Sequence, residues 1–124
     1  MTAPNVVNVA TITGKNSKVA LTSTSATAVV NNPASSGKVF KVNSLVVANI
    51  DGVNAADITV GVYSQDDLGG TAYRIAYLVT VPAKASLIVI GKENPVYLEE
   101  DQSIGATAAV ANDLEVVASY EEIS

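Results

Sequence analysis

Ala56-Asp57-Ile58-Thr59-Val60-Gly61-Val62-Tyr63-Ser64 decides how the rest of the chain is read. Ile58, Val60 and Val62 point one way along an extended backbone, and Asp57, Thr59, Gly61 and Tyr63 the other. Side chains alternate between the faces of a strand, so this is a strand with one buried face. The same period continues on both sides. Ala72–Val81 sets Tyr73, Ile75, Tyr77, Val79 and Val81 in one phase, and Pro82, which cannot donate to a ladder, ends it or places it at an edge. Upstream, Lys38–Ile50 sets Phe40, Val42, Val46, Ala48 and Ile50 in one phase. Asp51-Gly52 then reads as a two-residue hairpin turn.

Further strands are expected at Val6–Thr13, Lys18–Thr22, Ala26–Asn31, Ser86–Ile90, Pro95–Leu98, Ile104–Ala111 and Leu114–Tyr120. Turns are read at Gly14–Ser17, Asn32–Gly37, Gln65–Gly70, Gly91–Asn94 and Asn112-Asp113. Alanine in Ile104–Ala111 favours a helix, but Gly105, Thr107 and the strand-rich neighbourhood argue for a strand. No stretch sustains a helical period. The expected fold is all-β: a two-sheet antiparallel β-sandwich of eight or nine strands with Greek-key or jelly-roll connections. Residues 1–22 are read as an N-terminal arm or edge strand and residues 23–124 as the sandwich domain.

At 124 residues the chain fits one domain, and it has no cysteine, histidine or tryptophan. Disulfides, thiolate or imidazole metal sites and His-based catalysis are therefore excluded. Charged residues are 15% of the chain, against roughly 25% for typical soluble domains. Such a surface suits a protein packed against others and disfavours an enzyme; no cofactor is implied. The longest apolar runs, such as Leu87–Ile90, are far short of the ~20 residues of a membrane span. Met1–Gly14 has no basic residue and no signal-like apolar run, so synthesis in a cytoplasm without a cleaved leader is expected.

Charge is unevenly spread. Residues 1–50 hold Lys15, Lys18, Lys38 and Lys41 and no acid, whereas residues 51–124 hold three basic residues and all twelve acids. This asymmetry draws together two parts of one chain, or one subunit to the next. Four scattered lysines without arginine or aromatics are a poor nucleic-acid footprint.

Two acidic clusters invite chemistry. Glu99 and Asp101 would share a side of an extended chain, the pairing that serves glycoside hydrolysis or a hard cation, yet they read better as a solvated turn. Asp66-Asp67 offers calcium fewer oxygens than the six to eight it takes. Gly14-Lys15-Asn16-Ser17 lacks the first glycine and following helix of a phosphate loop. Tyr73 and Tyr77 read as core or interface packing, with a sugar- or peptide-binding patch as the other possibility.

Several strands are apolar in both phases, around Leu45 and Val47, Leu78, Ile88 and Ile90, and Val117. A sandwich strand has one face to bury, so either a loop of the same chain covers the second face or a neighbouring subunit does. The second reading makes Leu45, Val47, Leu78, Ile88, Ile90 and Val117, with Lys15 and Lys18 of the N-terminal segment, the candidate interface.

The stretches Lys38–Gly52, Asn94–Ile104 and Ala111–Ile123 resemble segments of small virion structural proteins of tailed bacteriophages, above all contractile-tailed phages of marine cyanobacteria. The likeness covers residues 38–124 well and the first 37 loosely. It implies a non-enzymatic virion building block, such as a head-decorating or cementing protein. Its partners would be other copies of itself and other virion proteins, such as the major capsid protein. It carries over no active-site residue. A neck, tail or fibre module binding another virion protein or host glycan is the alternative, and a small hydrolase using Glu99 and Asp101 the weakest reading.

Overall fold

A computed structural model describes residues 9–124. Among them are nine strands: β1 (Ile12–Leu21), β2 (Thr27–Asn32), β3 (Val39–Asn49), β4 (Ala56–Tyr63), β5 (Ala72–Val81), β6 (Ser86–Ile90), β7 (Val96–Leu98), β8 (Gln102–Ala108) and β9 (Leu114–Ile123). They form two antiparallel sheets, so the expected two-sheet sandwich is the fold observed. One sheet runs β1-β9-β3-β6 with β7 also on β3, and the other runs β2-β8-β4-β5.

The pairing reveals the connectivity. β1 pairs β9, β2 pairs β8, β3 pairs β6 and β7, and β4 pairs β5, as in one long folded hairpin. Rolling that hairpin adds the β3–β9 and β4–β8 pairings. This is a jelly roll, with β6 and β7 sharing one strand position. The core between the sheets is aliphatic: Leu21, Leu45, Val47, Ile58, Val60, Ile90, Leu98, Ile104, Leu114 and Val116 are all buried. Phe40 stacks on Tyr120 at 5.3 Å between ring centroids.

Bulges shift the phases read from the sequence. Within β3, Val42 pairs Tyr120 and Ser44 pairs Ser119, so Asn43 is an extra residue. Phe40 and Val42 face inward before it and Leu45, Val47 and Asn49 after it, whereas Val46 and Ala48 turn outward. A bulge at Val89 in β6 likewise sends Ile90 inward and Ile88 outward. β5 is an edge strand with two more bulges; Tyr73, Ile75, Tyr77 and Val79 are exposed, and of the expected phase only Val81 is buried.

Two expected turns are not turns. Gly14–Ser17 lies inside β1, whose register with β9 is continuous from Ile12 to Leu21. A ten-residue ladder outweighs a local turn preference, and the expected separate strand Lys18–Thr22 is the end of β1. Of the expected strand Val6–Thr13, residues 6–8 lie outside the described residues. Asp51-Gly52 is no hairpin either, because β3 and β4 lie in different sheets. The chain crosses over there, and Asp51 Oδ1 accepts the N–H groups of Val53 at 2.7 Å and Asn54 at 3.1 Å. Those N–H groups, Val53 first, hold the Asp51 carboxyl below the usual carboxylate range.

Candidate interface and loop cluster

The candidate interface residues fall in four places. Leu45 and Val47 are fully buried and Ile90 is 2% exposed, so all three belong to the core of a single copy. They stand as corrections: the bulges at Asn43 and Val89 invert the face their spacing suggests. Lys18, Val117 and Ile88 come together. Lys18 pairs Val117, Val117 pairs Val46, and Val46 pairs Ile88, forming one row across the outer face of the five-stranded sheet. Val117 is 46% exposed and Ile88 69%. The adjacent row is Ala20, Glu115, Ala48 and Ser86. Val46, which completes the apolar row, is missed by a reading that keeps β3 in one phase.

Leu78 lies apart, on the edge strand of the other sheet. It is 52% exposed in a left-handed conformation (φ 49°), with its N–H donating to Thr59 Oγ1 at 3.1 Å. Tyr73 and Tyr77 of the same strand are about two-thirds exposed (66% and 65%), which removes the core alternative for both. The Arg74 guanidinium lies 5.6 Å from the Tyr77 ring centroid. Lys15 faces Glu122, at 3.6 Å, and Lys38 reaches the same carboxylate at 3.1 Å. The basic first half thus meets the acidic second half within one copy. Glu122 also helps raise the Tyr120 hydroxyl above its ordinary pKa, after burial. Lys18 Nζ instead donates to Asn16 Oδ1 at 3.2 Å.

The acidic clusters are structural. Asp67 and Asn31 exchange two hydrogen bonds, Asp67 N–H to Asn31 Oδ1 at 2.7 Å and Asn31 Nδ2 to Asp67 Oδ1 at 3.1 Å. Asp66 Oδ2 accepts the Ala34 N–H, and Asp101 Oδ1 accepts the Asp66 N–H. Glu100 Oε2 accepts the Gly37 N–H at 2.7 Å. Asp101 sits in a turn at φ 60°, so the extended geometry that would align it with Glu99 is not formed. Among the described residues no three acidic side chains gather to share a cation.

These contacts pin loop 64–71 over the outer face of β8. Buried Ser103 accepts the Leu68 N–H at 2.9 Å and donates to Gln65 O at 2.8 Å. A Cβ on Gly105 would lie 2.6 Å from Leu68 Cδ2, so the glycine seats that side chain. Here a loop of the same chain does cover a second face. Val46, Ile88 and Val117 lie on the opposite sheet.

Two buried asparagines clasp the sheets, and the sequence gives no sign of them beyond a polar residue at a strand end. Asn32 Nδ2 donates to Lys38 O at 3.0 Å and Leu98 O at 3.1 Å. Asn49 Nδ2 donates to Val81 O at 2.9 Å and Asn54 O at 3.0 Å.

No protein family and no curated protein matches the chain. Among solved structures it is similar to a chain of Bacillus endospore appendages, described as a novel family of disulfide-linked pili. That likeness has 13% identity and a TM-score of 0.54, covering 92% of this chain and 88% of that one. A chain of infectious bursal disease virus, Gx strain, aligns at 9% identity and a TM-score of 0.39, over 90% of this chain and 33% of that one. The first likeness shows the fold, and neither is a protein of a tailed phage.

Proposed function

We propose that the protein is a non-enzymatic structural subunit of a bacteriophage virion, an accessory capsid (decoration) protein packed against copies of itself and the major capsid protein. The observation that carries this reading is the outward row Val117, Val46 and Ile88. These side chains lie on a sheet face that a solitary sandwich would make polar. Burying them against a neighbour contributes ~25 cal/mol per Å² of apolar area removed from water. Repetition on a fixed lattice lets modest contacts reinforce one another. Two supports are secondary. Jelly rolls recur in viral capsid domains, although they also recur in lectins and cupins. The endospore-appendage neighbour serves in disulfide-linked pili; this chain has no cysteine, so its own assembly would not be disulfide-linked.

The exposed Tyr73 and Tyr77, with Arg74 between them, favour a second reading: a tail or fibre module that binds host glycan or another virion protein. Side-chain-resolution imaging of the intact particle tests both. Density for this chain repeated over the head, with the Val117–Ile88 row against a neighbour, is the expected result. Density confined to tail or fibres overturns the decoration reading.

A further inference from the structure

Five strands lie at sheet edges or share one, and they are not equally protected. β5 has two bulges and is followed by Pro82. β2 has a bulge between Ala28 and Val30, and its Asn31 is tied to Asp67. β6 is five residues long with a bulge, and β7 has three residues. Bulges and short strands are the usual means of stopping a sheet from adding another strand. β1 has ten residues in unbroken register with β9 and no proline. Every second residue along its free side presents an N–H and a C=O without a partner in the sheet.

Lysine is the one device guarding this edge, and it selects what can pair there. Two β1 strands laid together would bring the Lys15 and Lys18 pairs of both copies onto one short stretch. Lys15 is offset by Glu122, but among the described residues Lys18 contacts no carboxylate. An occupant must therefore be extended and free of positive charge. Asn5–Val9 fits: it follows Pro4, has no charged residue, and Val6, Val7 and Val9 are strong strand formers. Its own β1 is a poor site for it. Ala10 N–H and Thr11 N–H both donate to Ser124 O, and Ser124 N–H donates to Thr11 O, so the chain is committed to its own β9 from Ala10 onward. No glycine lies between Met1 and Thr11 to reverse it there.

We propose that Asn5–Val9 of one copy adds as an extra strand to the β1 edge of a second copy. This inference rests on the assembly reading and gives it a mode. Backbone hydrogen bonds supply the affinity. The contact is heterologous, so it builds rings or open chains of subunits.

The absence of cysteine permits a direct test. Val6→Cys and Asn16→Cys copies are made separately, mixed under mild oxidation and compared with a Val6→Cys and Ile88→Cys mixture. In parallel, the full chain and a chain lacking residues 2–8 are sized by sedimentation, with circular dichroism confirming that both fold. The expected result is a Val6–Asn16 cross-link at least tenfold above the Ile88 control, and loss of oligomer on deletion. An oligomer that persists on deletion, with cross-linking no better than the control, overturns the strand-addition mode and leaves assembly through the sheet face standing. A full chain that stays monomeric at millimolar concentration and does not attach to particles overturns both.

Discussion

Asn49 is polar where the alternation of β3 calls for an apolar residue, and its amide explains why. It bridges β3 to Val81 O at the end of β5 and holds the crossover at Asn54 O, from a site only 3% exposed. Removing it leaves a buried carbonyl unpartnered, which costs about 1–3 kcal/mol. Asn49→Ala is therefore expected to lower stability by about that amount in urea unfolding, with an unchanged m-value. Asp51 nearby titrates with the same crossover. Its folded pKa lies below the ordinary aspartate value, so its contribution is present above that ordinary value and lost as pH falls through the folded pKa. Asp51→Asn should flatten the stability-versus-pH curve below about pH 4 and leave it unchanged in shape near neutrality. Neither residue's role is legible in the sequence: Asp51-Gly52 has the composition of a hairpin turn, and only the sheet assignment of β3 and β4 makes it a crossover.

At the scale of elements, strand existence is legible and strand phase is not. Ala56–Ser64 reads correctly because β4 keeps its inward residues, Ile58 and Val60, in step. Lys38–Ile50 misleads because Asn43 adds one residue and exchanges the two faces, and periodicity alone does not locate a bulge. The two assignments are separable by mutation. Leu45→Ala is expected to cost about 2–5 kcal/mol as a core truncation. Ile88→Ala, at an exposed position, should stay within about 0.5 kcal/mol in the same unfolding measurement. The covered face of β8 makes a third prediction. Ser103→Ala removes the acceptor for Leu68 N–H and the donor to Gln65 O. Amide exchange at Leu68 should accelerate, with a loss of about 1–3 kcal/mol for the groups left unsatisfied; unchanged exchange would mean the loop is held by other contacts.

At the scale of the whole molecule, the long rolled hairpin places the apolar surplus in two regions. One lies at the β5 edge and the other on the outer face of the five-stranded sheet. Composition foretells the surplus, since 48% of residues are hydrophobic and 15% charged, but not its location. The charge asymmetry is resolved in part within one copy, through Lys15, Lys38 and Glu122, which leaves Lys18 beside the apolar row. The proposed function requires that this row meet another protein in the particle. Its most direct measurement is the copy number of an Ile88→Lys, Val117→Lys double variant on particles assembled without the wild-type chain. The expected result is a subunit with wild-type unfolding behaviour that is depleted from particles at least tenfold. Incorporation at the wild-type copy number by that same folded variant would contradict it.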